Sequence, residues 1–133
     1  MSRGEDTLTL TFPPVPAYVG TARLFVGAVA RQYGVDEERV DDLKVAVSEA
    51  CTSAIRLRGD GEDPVEVVVT TDQASLSVEI PASVEQESDL TEASTTGDLV
   101  RSLGMELIRA LFPEARTIDG QPAPSISFSL PLS

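Results

Sequence analysis

Between Asp36 and Gly59 the sequence carries one unbroken amphipathic period. Val40, Leu43, Val47, Ala50 and Ala54 recur at three- and four-residue steps, which places all five on one face of an α-helix. Asp36 is a good N-cap, and Glu37 and Glu38 in the first turn complement the helix dipole. Gly59-Asp60-Gly61 breaks the pattern after about Leu57. An apolar stripe this long must be covered by another layer. The remainder of the chain offers both strands and further helices to cover it.

Residues Thr7 to Phe12 alternate Thr-Leu-Thr-Leu-Thr-Phe, the period of a half-buried strand, and Pro13-Pro14-Val15-Pro16 ends it. From Ala17 the period turns helical through Val19, Ala22, Val26, Val29 and Tyr33, with Gly34 at the position of a C′ glycine. Two strands are expected at Val65–Thr70 and Ser75–Ile80, joined by the polar turn Thr71-Asp72-Gln73-Ala74. An apolar-poor loop runs from Val84 to Gly97. A third helix is expected over Asp98–Phe112, with Leu99, Leu103, Leu107 and Leu111 as its stripe and Pro113 as its stop. A weak strand near Ala115–Ile118 and a clear one at Ser125–Leu130 follow. The order β-α-α-β-β-loop-α-β-β, with tight turns between strands, predicts a two-layer α+β sandwich. Its sheet is expected to be mixed but mostly antiparallel, with three helices on one face. No repeat or linker divides the chain, so residues 1–133 read as one domain, with the polar residues 1–6 expected to be disordered.

Histidine is absent and cysteine occurs once, at Cys51. That removes zinc sites and histidine-based nucleophile systems, and it rules out an intramolecular disulfide. The single thiol and the absence of a signal peptide or a long apolar run fit a cytoplasmic setting. A net charge of −12 argues against direct nucleic-acid binding and against anionic membranes. It suits a basic protein partner.

One segment is more specific than its period. Val40-Asp41-Asp42-Leu43-Lys44-Val45-Ala46-Val47-Ser48-Glu49-Ala50-Cys51-Thr52-Ser53-Ala54 resembles the first nucleotide box of the anti-sigma-factor serine kinases. These belong to the histidine-kinase-like (GHKL, Bergerat) ATPase superfamily and read roughly (V/I)xDIxLAVSEAxTNA here. Pro16-Ala17-Tyr18-Val19 (read as an upstream strand), Ala22-Arg23 and the stretch Leu103 to Leu111 also resemble that family, in the same order.

The resemblance implies an ATP and Mg²⁺ site, with residues assigned by matching position. Glu49 stands where the family has its general base, and Ser53 where an asparagine holds the metal. A serine is a short ligand for a metal as strict about distance as Mg²⁺. Ile80 stands where an aspartate accepts from the adenine amino group. Ala82 and Val84 replace two glycines that let backbone approach the ligand. Ser102 and Gly104 keep half of a glycine pair before the third helix. The loop in the place of the ATP lid carries Glu85, Glu87, Asp89 and Glu92 and no cation. Taken without the family, Glu49 reads as an ordinary helix carboxylate and Gly104 as a packing glycine.

The expectation is therefore a degenerate member with a vestigial site and no cofactor, ATP and Mg²⁺ being held only if the pocket still functions. Its function is expected to be anti-sigma-like regulation by binding a sigma factor or a STAS-type anti-anti-sigma factor, with a homodimer possible. An active serine kinase acting on the anti-anti-sigma factor, and an interaction domain unrelated to sigma factors, are the alternatives.

Overall fold

The computed structural model describes residues 5–81, 105–118 and 125–132. Five strands form one sheet: β1 (Asp6–Phe12), β2 (Val65–Thr71), β3 (Ser75–Pro81), β4 (Arg116–Ile118) and β5 (Ser125–Pro131), in the spatial order β1-β2-β3-β5-β4. Every pairing among the described residues is antiparallel, in keeping with the mostly antiparallel sheet that the tight turns predict. Two long helices, α1 (Val19–Gln32) and α2 (Glu37–Arg58), and a third, α3 (residues 105–111), join the sheet in a single core.

Pairing register separates the two faces. Val65, Val67 and Val69 of β2, Leu76, Val78 and Ile80 of β3, and Ile126, Phe128 and Leu130 of β5 are all buried. They share one face with the buried helix residues Ala22, Val26, Val40, Leu43, Val47 and Ala50. The opposite face carries Thr7, Thr9, Thr11, Glu66, Glu79 and Ser129, all exposed. Antiparallel sheets tolerate such one-sided solvation.

The α2 stripe is buried at all five expected positions, and Asp36 accepts a hydrogen bond from the Arg39 N–H at 3.0 Å. The Gly34 terminus is a Schellman motif. Val35 N–H bonds the Ala30 carbonyl and Gly34 N–H the Arg31 carbonyl, both at 3.1 Å, with Gly34 at φ +84°. In the β2–β3 turn the Asp72 carboxylate accepts from the Ala74 and Ser75 N–H groups at 2.7 and 2.8 Å. These bonds hold its pKa below the ordinary carboxylate value.

Three expectations fail locally. Residues Pro16–Tyr18 form a 3₁₀ turn leading into α1 rather than a strand, because Pro16 presets a helical φ. Strand β1 begins at Asp6, inside the tail expected to be disordered, and Tyr33 donates to the Asp6 carboxylate at 2.7 Å. Of the leucine ladder expected on the third helix, Leu111 packs partly buried against the core but Leu107 does not. Met105 and Ile108, with Phe112 just beyond, are buried, whereas Leu107 is 40% exposed; Leu99 and Leu103 lie outside the described residues.

Arginines fasten the layers. Arg39 Nη1 donates to Asp42 at 2.6 Å and to the Leu111 carbonyl at 3.5 Å, and its guanidinium lies 4.6 Å over the Phe112 ring. Arg58, only 8% exposed, donates to the carbonyls of Ala54, Asp63 and Pro64 at 2.7, 2.8 and 2.9 Å. It thereby staples the end of α2 to the segment entering β2.

Candidate functional site

Helix α2 supplies the polar centre. Glu49 and Ser53 lie four residues apart, hence on one side of the helix. Glu49 is half-buried and Ser53 is only 5% exposed. Directly before Glu49, Ser48 Oγ accepts from Arg23 Nη1 of α1 at 3.1 Å, a bridge that periodicity could not reveal. Its sequence signal was the Ala22-Arg23 pair, which only the family resemblance singled out.

Strand β3 supplies the other wall. Its alternation turns Leu76, Val78 and Ile80 toward the helices, and Ile80, opposite Ile126 on β5, is 1% exposed within the core that also contains Ala46, Ala50 and Ala54. The end of β3 and the Glu49-bearing helix thus share one side of the sheet. Ile80 presents only hydrocarbon there. A carboxylate at so buried a position persists only when paired or hydrogen-bonded, and isoleucine removes that requirement together with the acceptor.

Ala82, Val84, Ser102 and Gly104 lie outside the described residues, as do Glu85, Glu87, Asp89 and Glu92. Among the described residues no group of three or more His, Cys, Asp or Glu side chains could hold a metal ion. Ser53 offers a single hydroxyl, one bond shorter than an asparagine carbonyl. Cys51, two residues from each of Glu49 and Ser53, is fully buried in the core, and burial pushes its thiol up to about 12. It is therefore a packing residue and not a nucleophile at neutral pH. No helix among the described residues is long and apolar enough to cross a membrane.

A separate cavity of about 460 Å³ lies between β1 and α1, lined by residues that include Leu8, Val29 and Tyr33 and by none of Glu49, Ser53 or Ile80.

Comparison with known proteins gives the family. Residues 12–123 match the model of the histidine kinase-like ATPase domain family. The chain is similar to the serine-protein kinase RsbW of Bacillus pumilus (strain SAFR-032), with 33% identity over 128 residues covering 86% of this chain and 79% of that protein. Its similarity to the same kinase of Bacillus subtilis (strain 168) is 32% over 133 residues, covering 87% and 80%. In structure it resembles the RsbU and RsbW domains of Rv1364c from Mycobacterium tuberculosis, with TM-score 0.69, 17% identity, 93% of this chain covered and 32% of that one. The chain belongs to the histidine kinase-like ATPase domain family, among relatives named as serine-protein kinases RsbW.

Proposed function

We propose that this chain is a regulator that acts by gripping a protein partner, a sigma factor or a STAS-type anti-anti-sigma factor, with a nucleotide site that no longer functions. The buried Ile80 carries this reading. An adenine amino group brought to it would lose its acceptor, at about 1.5–3 kcal/mol for a bond to a charged partner. The described donor set of Glu49 and Ser53 does not fit a nucleotide with magnesium, and the acidic stretch holding Glu85, Glu87, Asp89 and Glu92 contributes no local cation for a triphosphate. The charge of −12 supports a basic partner, whose association such a field accelerates and salt slows.

Calorimetry with Mg-ATP tests the first half. No saturable binding is expected at millimolar nucleotide, and a dissociation constant of roughly 10 µM or below, about −7 kcal/mol, refutes it. Glu49→Ala tests the second half by leaving partner affinity and regulation unchanged.

An active serine kinase is the second reading. It is favoured by the retained, half-buried Glu49 and by relatives named as serine-protein kinases. In that case Glu49→Ala abolishes regulation while fold and partner affinity persist.

A further inference from the structure

Helix α3 has little of its own to hold it in place. It spans seven residues, 105–111, well below the length of about 12 at which an isolated helix starts to persist in water. Glu106, Leu107, Arg109 and Ala110 are exposed. Its anchors in the core are Met105 and Ile108, with Phe112 just beyond its end. An element with so few buried contacts opens more readily than the sheet beneath it.

One side chain from another helix meets the end of α3. Arg39, in the first turn of α2, brings Nη1 to 3.5 Å from the Leu111 carbonyl and sets its guanidinium 4.6 Å from the centre of the Phe112 ring. A cation there meets both the negative end of the α3 dipole and the face of the ring. Phe112 in turn packs on Phe128 of β5, with 5.4 Å between ring centres. Asp42, three residues along α2, accepts from the same Nη1 at 2.6 Å. The two side chains of this pair are 38% and 31% exposed, so the pair by itself adds little stability. Its effect is to aim the guanidinium. Among the described hydrogen bonds, that of Arg39 is the one joining α3 to another helix or strand.

We propose that Arg39 is a salt-sensitive latch on α3. Aimed by Asp42, it sets how often α3 and Phe112 lift from the core as a unit while the sheet stays closed. Lifting uncovers Ile108, Phe112 and the ring of Phe128, an apolar surface that the closed molecule hides. The input is ionic. Arg39 is partly exposed, so an anion from solution can pair with it in place of Asp42 and draw it from the ring and the helix end. The latch depends neither on the nucleotide site nor on the identity of a partner.

Native-state amide hydrogen exchange of the full chain, followed by NMR in low urea, tests it. The amides of residues 109–112 should exchange at least about tenfold faster than those at the centres of β2 and β3, and with a weaker urea dependence. Arg39→Met should speed exchange at 109–112 about tenfold, through loss of the ring and helix-end contacts. Asp42→Asn should speed it about threefold, and the double variant should match Arg39→Met, because Asp42 acts through Arg39. Sodium chloride at about 0.5 M should speed it about threefold in the native chain and leave Arg39→Met unchanged. Equal protection and equal urea dependence in α3 and the sheet overturn the proposal, since α3 then opens only when everything does. An unchanged rate in Arg39→Met overturns it too, as does a salt response that survives in that variant. Should Arg39→Met fail to fold, Asp42→Asn decides alone, and an unchanged rate there refutes the latch.

Discussion

Arg58 is the side chain whose removal has the most calculable consequence. Its guanidinium is nearly sequestered and satisfies three main-chain carbonyls, of which Asp63 and Pro64 belong to the segment entering β2. Burial lowers its pKa, with the nearby Asp63 carboxylate opposing that shift. Arg58→Met preserves the apolar stem but strands the two loop carbonyls, which are only partly buried, so each costs about 1 kcal/mol, the low end for an unpaired group. It also deletes a cation from the last turn of α2, worth about 0.3–1 kcal/mol. Relief of the guanidinium's own desolvation returns part of this, so the net loss should be about 2 kcal/mol. For a domain of this size that lowers the melting temperature by roughly 8 °C. Arg58→Lys should recover less than half, because an ammonium cannot span three divergent carbonyls as a planar fork does. Urea denaturation followed by far-ultraviolet circular dichroism measures both. A loss below about 1 kcal/mol for Arg58→Met, outside the usual extrapolation error, would refute the staple as a source of stability.

Thr71 is 1% exposed, and its hydroxyl has no hydrogen-bond partner among the described residues. Thr71→Val should therefore raise stability by about 1 kcal/mol in the same denaturation assay. Cys51 makes a pH prediction. Its folded pKa of about 12 stands above the ordinary 9.0, so its contribution is full below pH 9 and is lost as pH rises toward 12. Cys51→Ala should flatten the alkaline arm of the stability profile, and native Cys51 should react with a thiol reagent at pH 8 only as fast as the protein opens.

Helix α2 was legible because steps of three and four keep Val40, Leu43, Val47, Ala50 and Ala54 on one stripe, and all five are buried. The α3 ladder misled for the same geometric reason. At about 100° per residue a step of four advances about 40°, and of the two described ladder residues Leu111 packs partly against the core while Leu107 turns away from it. Met105, Ile108 and Phe112 alternate three and four and are the buried set. Alternation in β1 correctly gave a strand but overstated its burial, since burial depends on where the helices end rather than on the strand's own pattern. At the site, the identity of Ile80 was readable but its depth was not. Depth came from the β3–β5 register, which pairs Ile80 with Ile126, far apart in sequence. The roles of Arg23 and Arg58 were equally invisible, because their partners are a hydroxyl on another helix and three carbonyls with no sequence signature.

The sheet order β1-β2-β3-β5-β4 carries a consequence for biosynthesis. Of the five strands, β5 is the last to be translated, yet it lies inside the sheet, between β3 and β4. Until it emerges from the ribosome, Leu76, Val78 and Ile80 of β3 lack their partners Leu130, Phe128 and Ile126. The β4 segment meanwhile has no strand to join. A nascent chain can pair β1, β2 and β3 early, but its final closure is a non-local event that comes late and slowly. During that interval the exposed edge of β3 is the part of the chain most in need of a chaperone.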